Sequence, residues 1–324
     1  MAYTKGVIQR ARQRLETENR KKQAEYQAHL ERAYQLRPRL REIDRSLQGT
    51  AARAIALCLG SGQDPRPAIE QLKQENLALQ NERQWILDEA ELGDDYLDDS
   101  PVCSLCGGTG YVGTKMCECL HELCRQEQKR ELSSLLGSGT ERFEHFRLDL
   151  YPDRFYPSIN TTARDLMQKN LNYCRRYAAG FRPGAKDLLF SGATGLGKTF
   201  LSACIARQVT DLGYSVVYVS ASKLFAEYEA VKFDRLEPEQ IADYSDCDLL
   251  IIDDLGTEMT TQFVISALYE IVNSRMLEHR STLISTNLDA KDLENRYRGP
   301  IASRLLGGYH LVYFVGEDIR RIRK

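Results

Sequence analysis

The chain has 324 residues, enough for two domains of which one can carry a complete α/β core. Hydrophobic residues make up 42%, charged residues 28% and the net charge is −2, a balance that excludes a uniformly basic nucleic-acid binder, so any DNA-binding surface has to be local. The opening MAYTKGVIQRARQ lacks the apolar core of a secretory leader and no 18-residue apolar run occurs, so the nine cysteines read as reduced thiols of a cytoplasmic protein without membrane spans.

Residues 1–99 read as a helical partner-binding region. Good helix formers dominate up to residue 59, and Leu30, Ala33, Leu36, Leu40, Ile43 and Leu47 recur at threes and fours, the spacing of one buried stripe. Pro38 inside this pattern kinks or divides the helix. Residues 60–67, GSGQDPRP, end it, and Ile69, Leu72, Asn76, Leu79, Ile86 and Ala90 then mark a second helix near heptad spacing. Two helices across a short Gly/Pro turn predict an antiparallel hairpin or coiled coil, a docking arm for another protein, a spacer or a self-association element. An acidic stretch at 88–99 closes the region.

Residues 100–125 carry Cys103, Cys106, Cys117 and Cys119, a C-x-x-C knuckle and a second pair separated by glycines. Four thiolates suit a tetrahedral Zn²⁺ with no open position, a structural rather than catalytic metal. The second pair is tightly spaced, so His121 or Cys124 is an alternative ligand. Cys58, Cys174, Cys204 and Cys247 lie in apolar stretches and are expected in the core.

Residues 126–150 read as a connecting helix and linker, and 151–324 as an α/β domain. Strands are predicted at 188–191 (LLFS), 215–220 (SVVYVS), 248–253 (DLLIID), 281–286 (STLIST) and 310–315 (HLVYFV), with helices at 198–212, 221–231 and 263–278 between them. Continuous apolar strands alternating with helices predict a parallel sheet covered on both faces.

Gly192, Ala193, Thr194, Gly195, Leu196, Gly197, Lys198 and Thr199 satisfy G-x-x-x-x-G-K-[ST] between a strand and a helix. Its glycines turn backbone amides toward the phosphates of ATP, Lys198 reaches the β/γ oxygens, and Thr199 holds Mg²⁺. The strand at 248–253 ends in Asp253 and Asp254, the first placed to share Mg²⁺ and the second to polarise the attacking water; the alternative is two acids capping the next helix. Aspartate in the second position is one methylene shorter than glutamate, which predicts slow turnover. Asn287 reads as a γ-phosphate sensor or a turn residue, and Arg304 as a charge presented to a neighbouring subunit or a surface ion pair.

Together, the runs LLFSGATGLGKTFLSACIA, CDLLIIDDLGTE, STNL and IASRL resemble the AAA+ ATPases of the DnaC/DnaI type, the replicative-helicase loaders, over about residues 140–324. The resemblance implies an AAA+ fold with a reduced lid, ATP and Mg²⁺ binding, weak ATPase activity stimulated by partner or DNA, self-association, and contact with single-stranded DNA and a DnaB-type helicase. Matched by motif, Lys198 and Thr199 are the Walker A pair, Asp253 and Asp254 Walker B, Asn287 sensor 1, Arg304 the arginine finger and Arg320 sensor 2. It also implies that residues 222–246 form the extra helical element of initiators and loaders, with Lys223, Lys232 and Arg235 on DNA phosphates and Phe225, Tyr228 or Phe233 on bases. Pro300 stands where relatives often carry an arginine, and Arg298 is the substitute candidate. A transposition helper of the IstB type and a nucleotide-gated adaptor with little hydrolysis are the competing readings; an N-terminal hairpin with a zinc module favours the loader.

Overall fold

The computed structural model describes residues 3–59, 65–92, 95–136 and 141–322. Parts of the expected turn (60–64), acidic stretch (93–94), linker (137–140) and basic terminus (323–324) lie outside the described residues, as does the Arg298 side chain. The chain divides into two compact units, Gln13–Cys119 and Met1–Arg12 with Leu120–Lys324. The boundary therefore falls within the cysteine module rather than after it, and the first twelve residues group with the sheet.

In the first unit the long helical pattern is broken twice. α1 (Lys5–Leu36) stops before Arg37, because Pro38 at the first position of α2 (Pro38–Gln48) has no amide to continue the ladder. Gly49 separates α2 from α3 (Thr50–Leu59). α4 (Arg66–Glu89) runs back along α2 and α3: Arg37 pairs with Glu89, Arg39 with Glu82 and Arg53 with Glu75, the descending order of an antiparallel hairpin. A small apolar seam of Ala33, Leu40, Ile43, Ile86 and Leu87 holds it. The break displaces Leu36 from the expected stripe, leaving it half exposed, and Ile69 near the hairpin end is exposed as well. Cys58, expected in the core, is exposed on α3, a helix that buries none of its residues.

The cysteine segment forms a two-stranded antiparallel turn, β1 (Tyr111–Val112) with β2 (Lys115–Met116), and leads into α5 (Glu118–Leu136). α5 starts eight residues before the connecting helix expected from residue 126, because the cysteine pair itself opens the helix.

In the second unit β3 (Phe155–Tyr156) and β4 (Thr161–Thr162) form a short antiparallel pair ahead of α6 (Ala163–Ala179). The sheet follows: β5 (Leu188–Gly192), α7 (Lys198–Asp211), β6 (Val216–Ser220), α8 (Ala221–Lys232), α9 (Glu239–Asp246), β7 (Leu249–Leu255), α10 (Gln262–Leu277), β8 (Ser281–Thr286), α11 (Ala290–Gly308), β9 (His310–Phe314) and α12 (Ile319–Ile322). All five strands are parallel in the order β6-β7-β8-β5-β9, the arrangement of an AAA+ P-loop domain. Alternation along the strands builds two cores. Leu188, Phe190, Leu249, Ile251 and Leu283 pack with α6 and α7, whereas Leu189, Leu250, Ile252 and Ile284 pack with α8, α10 and α11. Among the described residues no helix is long and apolar enough to cross a membrane.

Candidate functional site

The carboxyl ends of β5 and β7 open on a cleft of about 970 Å³, lined among others by Thr194 to Thr199, Asp253, Asp254 and Arg320. The sheet order creates it: β5 and β7 are separated by β8, and the loop after β5 turns directly into α7. Gly195 and Gly197 have φ of 80° and 86°, conformations that suit glycine. Side chains are also excluded there by space, since a Cβ on Gly195 would lie 1.9 Å from Asp318 Oδ1 and one on Gly197 2.8 Å from the Tyr151 hydroxyl. Tyr151 donates to the Leu196 carbonyl at 2.8 Å and so braces the loop from outside.

The Lys198 ammonium is buried and donates to the carbonyls of Gly192 (2.6 Å) and Ala193 (2.8 Å). Burial lowers its proton affinity, while Asp254 and Asp253 pull it back up. Thr199 Oγ1 stands 3.4 Å from Asp253 Oδ1, close to the ~2.9 Å between neighbouring ligands of an octahedral magnesium, so these two oxygens fit one cation. Asp253 is buried in β7, two residues before its end; Asp254 follows, exposed in the same strand with φ of 55°, where the register with β8 shifts. A non-glycine residue held in the left-handed region marks a position fixed by its surroundings. Burial raises the Asp254 pKa and the Asp253 charge adds to this, with Lys198 and Arg320 opposing.

Arg320 lines the cleft. Asn287 is exposed just past β8, with its Oδ1 beside Gly256, and does not line the cleft. Arg304 lies away from it on α11, donating to Asn273 Oδ1 (3.0 Å) and the Tyr269 hydroxyl (3.0 Å) and stacking over the Tyr269 ring. Pro300 sits inside α11, and its carbonyl accepts a further bond from Arg304.

The sequence reading missed Tyr218 and Ser285, both of which donate to the Asp253 carboxylate. Neither stands out in sequence, since β8 carries four hydroxyl residues and β6 carries Ser220 besides Tyr218. It also missed Phe146 and Tyr151, which reach the cleft from far upstream. Of the proposed base-stacking residues, Phe225 is buried in the core, which removes it from contact with DNA, and Tyr228 is partly buried, packed against Tyr244. Phe233 is exposed, flanked by Lys232 and Arg235, while Lys223 lines the nucleotide cleft instead.

A profile of the IstB-like ATP binding proteins matches residues 152–321, more than half the chain and the whole of this cleft apart from its upstream wall. The chain belongs to that family. Among curated relatives it is 27% identical over 164 residues to the replicative helicase loader DnaC of Buchnera aphidicola (subsp. Acyrthosiphon pisum), covering 49% of this chain and 67% of the relative. To the replicative helicase loader DnaC of Escherichia coli K12 it is 26% identical over 155 residues, covering 47% of this chain and 63% of the relative. The crystal structure of DnaI overlays 60% of this chain and all of its own at 20% identity and a TM-score of 0.47. Family, strand order and phosphate loop together make this an AAA+ ATPase-type domain.

The four thiols of Cys103, Cys106, Cys117 and Cys119 lie within 4.8 Å of one another. Cys103 and Cys117 Sγ are 3.8 Å apart, and Cys106 and Cys119 3.5 Å. A tetrahedron with Zn–S near 2.3 Å has S···S of about 3.8 Å, so the cluster could hold zinc. Burial pushes the Cys106 thiol up, but the Gly110 amide and the neighbouring thiols outweigh it and bring it to about 6. His121 and Cys124 are not in this set. Cys174, Cys204 and Cys247 are buried as expected.

Proposed function

We propose that the protein is an ATP-dependent loader of a DnaB-type replicative helicase onto single-stranded DNA. The observation that carries the reading is the cleft: Lys198, Thr199, Asp253, Asp254 and Arg320, distant in sequence, meet at the carboxyl edge of one parallel sheet. The curated relatives, named as replicative helicase loaders, support the choice of task.

In this reading the loop amides and Lys198 bind the triphosphate of ATP, and Thr199 with Asp253 holds Mg²⁺, which supplies charge neutralisation at the phosphates. Asp254 orients the attacking water; its raised pKa makes it a better proton acceptor than an ordinary aspartate. Arg320 contacts phosphate in the same subunit, and Arg304, remote from its own cleft, serves a neighbouring subunit, so that hydrolysis depends on self-association; Asn287, outside the cleft, is left with the alternative role of a turn residue. Cys103, Cys106, Cys117 and Cys119 hold a structural Zn²⁺. The hairpin docks the helicase through the apolar surface around Ile55 and Leu59, which are 60% and 81% exposed. Phe233, Lys232 and Arg235 form the single-stranded DNA contact, a stacking ring between two cations.

The test is loading of a DnaB-type hexamer onto circular single-stranded DNA with ATP and the full chain. Lys198→Ala is expected to reduce ATP affinity at least about 100-fold and to abolish loading. Loading that proceeds undiminished with this variant overturns the reading. The family description favours one second reading, an IstB-type helper of transposition; stimulation of a transposase instead of a helicase in parallel reactions decides for it.

A further inference from the structure

The Asp253 carboxylate receives three hydroxyls. Tyr218 donates to Oδ2 at 2.7 Å, Ser285 to Oδ1, and Thr199 to Oδ1 at 3.4 Å. Ser285 Oγ also accepts the Asp254 amide at 3.0 Å, which ties it to the backbone of the following acid. Ser202 Oγ lies 3.1 Å from the Tyr218 hydroxyl and 3.0 Å from the Thr199 carbonyl; with the phenol proton committed to Asp253, the single Ser202 proton is shared between these two acceptors. A closed circuit therefore runs from Thr199 through Ser202 and Tyr218 to Asp253 and back to Thr199.

Sheet register explains how a residue on β6 reaches this point. Ser220 pairs with Asp253 and Tyr218 with Ile251, so the phenol starts two residues short of the carboxylate and spans the gap with its ring. The ring packs against the core on the α7 side while the hydroxyl reaches the cleft. A Phe in its place would keep that packing and lose only the donor.

An aspartate carboxylate rotates about a broad, two-fold terminal torsion, so a single bond on one oxygen leaves its plane free. Bonds on both oxygens from two strands, Tyr218 on β6 and Ser285 on β8, fix that plane. When Thr199 turns its oxygen to a cation, Tyr218 and Ser285 remain as the groups holding the carboxylate. Outer partners of this kind typically set metal affinity by about 10–100-fold.

We propose that Tyr218 is a positioning residue for the magnesium-binding carboxylate, and that Ser202 backs it. This rests on the nucleotide reading of the cleft. Tyr218 sets how much Mg²⁺ the site needs; it leaves metal-free nucleotide contact to the loop amides and Lys198.

The experiment is a fluorescence titration of the full chain with N-methylanthraniloyl-ATP, in EDTA and across Mg²⁺ concentrations. Tyr218→Phe is expected to match the wild-type affinity in EDTA while its Mg²⁺ midpoint rises about tenfold or more. Ser202→Ala moves the midpoint in the same direction by a smaller factor. A Tyr218→Phe midpoint equal to that of the wild type overturns the inference, as does an equal loss of affinity with and without metal, the mark of a merely structural role. A wild-type chain whose nucleotide binding ignores Mg²⁺ removes the magnesium reading of the cleft itself and this inference with it.

Discussion

The two units spend their residues differently. In the sheet unit every strand of the central pair, Leu249 to Ile252 and Leu283 to Ile284, is fully buried, and helices cover both faces. In the hairpin unit five buried side chains form the seam, α3 buries nothing, and most ion pairs lie on the surface, where each is worth little. A dense core lets the first hold strained and charged groups such as Asp254 and Lys198 in place. The second has to draw order from elsewhere, and the four thiols are the available source.

On the proposal that Cys103, Cys106, Cys117 and Cys119 hold zinc, metal removal should give the largest effect and the hardest test of this contrast. Structural zinc contributes on the order of 10 kcal/mol to small modules. Stripping it with a strong chelator is expected to expose residues 103–119 to proteolysis and release one zinc per chain, while nucleotide binding persists. Loss of nucleotide binding at the same chelator concentration would break the distinction between the units.

Next in size is Arg275, fully buried on α10 and supported by no acid in hydrogen-bond reach among the described residues. It donates to the carbonyls of Tyr244 (2.8 Å), Ser245 (3.0 Å), Cys247 (3.1 Å) and Ser281 (2.6 Å) and to Thr282 Oγ1 (3.0 Å). Arg275→Met leaves these acceptors buried without a donor and should cost about 4 kcal/mol or more. Calorimetry is expected to show the sheet unit melting earlier with zinc content unchanged.

A smaller effect sharpens the comparison through pH. Burial raises Asp187 to about 6, with the Thr282 amide and Arg275 pulling it down. The unfolded carboxyl titrates near 4, so the folded state binds the proton more tightly. Its contribution is therefore most favourable below pH ~4 and is lost as pH rises through about 6, by up to roughly 2–3 kcal/mol. Asp187→Asn should flatten that slope in urea titrations at pH 4 to 7; an unchanged slope assigns it to another group.

The same contrast governs what the sequence made legible. Strands β5 to β9 were readable within a residue or two because buried parallel strands are continuous apolar runs, and the phosphate loop because each position has one physical requirement. The two acids of β7 were readable as a pair; the left-handed backbone of Asp254 was not, since it depends on a register shift against β8. Tyr218 escaped notice because a tyrosine in VVYVS is an ordinary strand residue until β6 is known to lie beside β7. Leu36 was misplaced because periodicity carries on through Pro38 while the helix axis does not, and Cys58 because its apolar stretch lies on α3, which buries none of its residues.

Arg304 shows what its neighbours on α10 accomplish in advance. A free arginine carries about 2 kcal/mol of rotamer entropy, and Asn273 and Tyr269 have already confined this one to a single pose. The loss of this side chain's freedom therefore falls on folding; in the proposed arginine-finger role, the encounter with a neighbour's anion would not bear that cost.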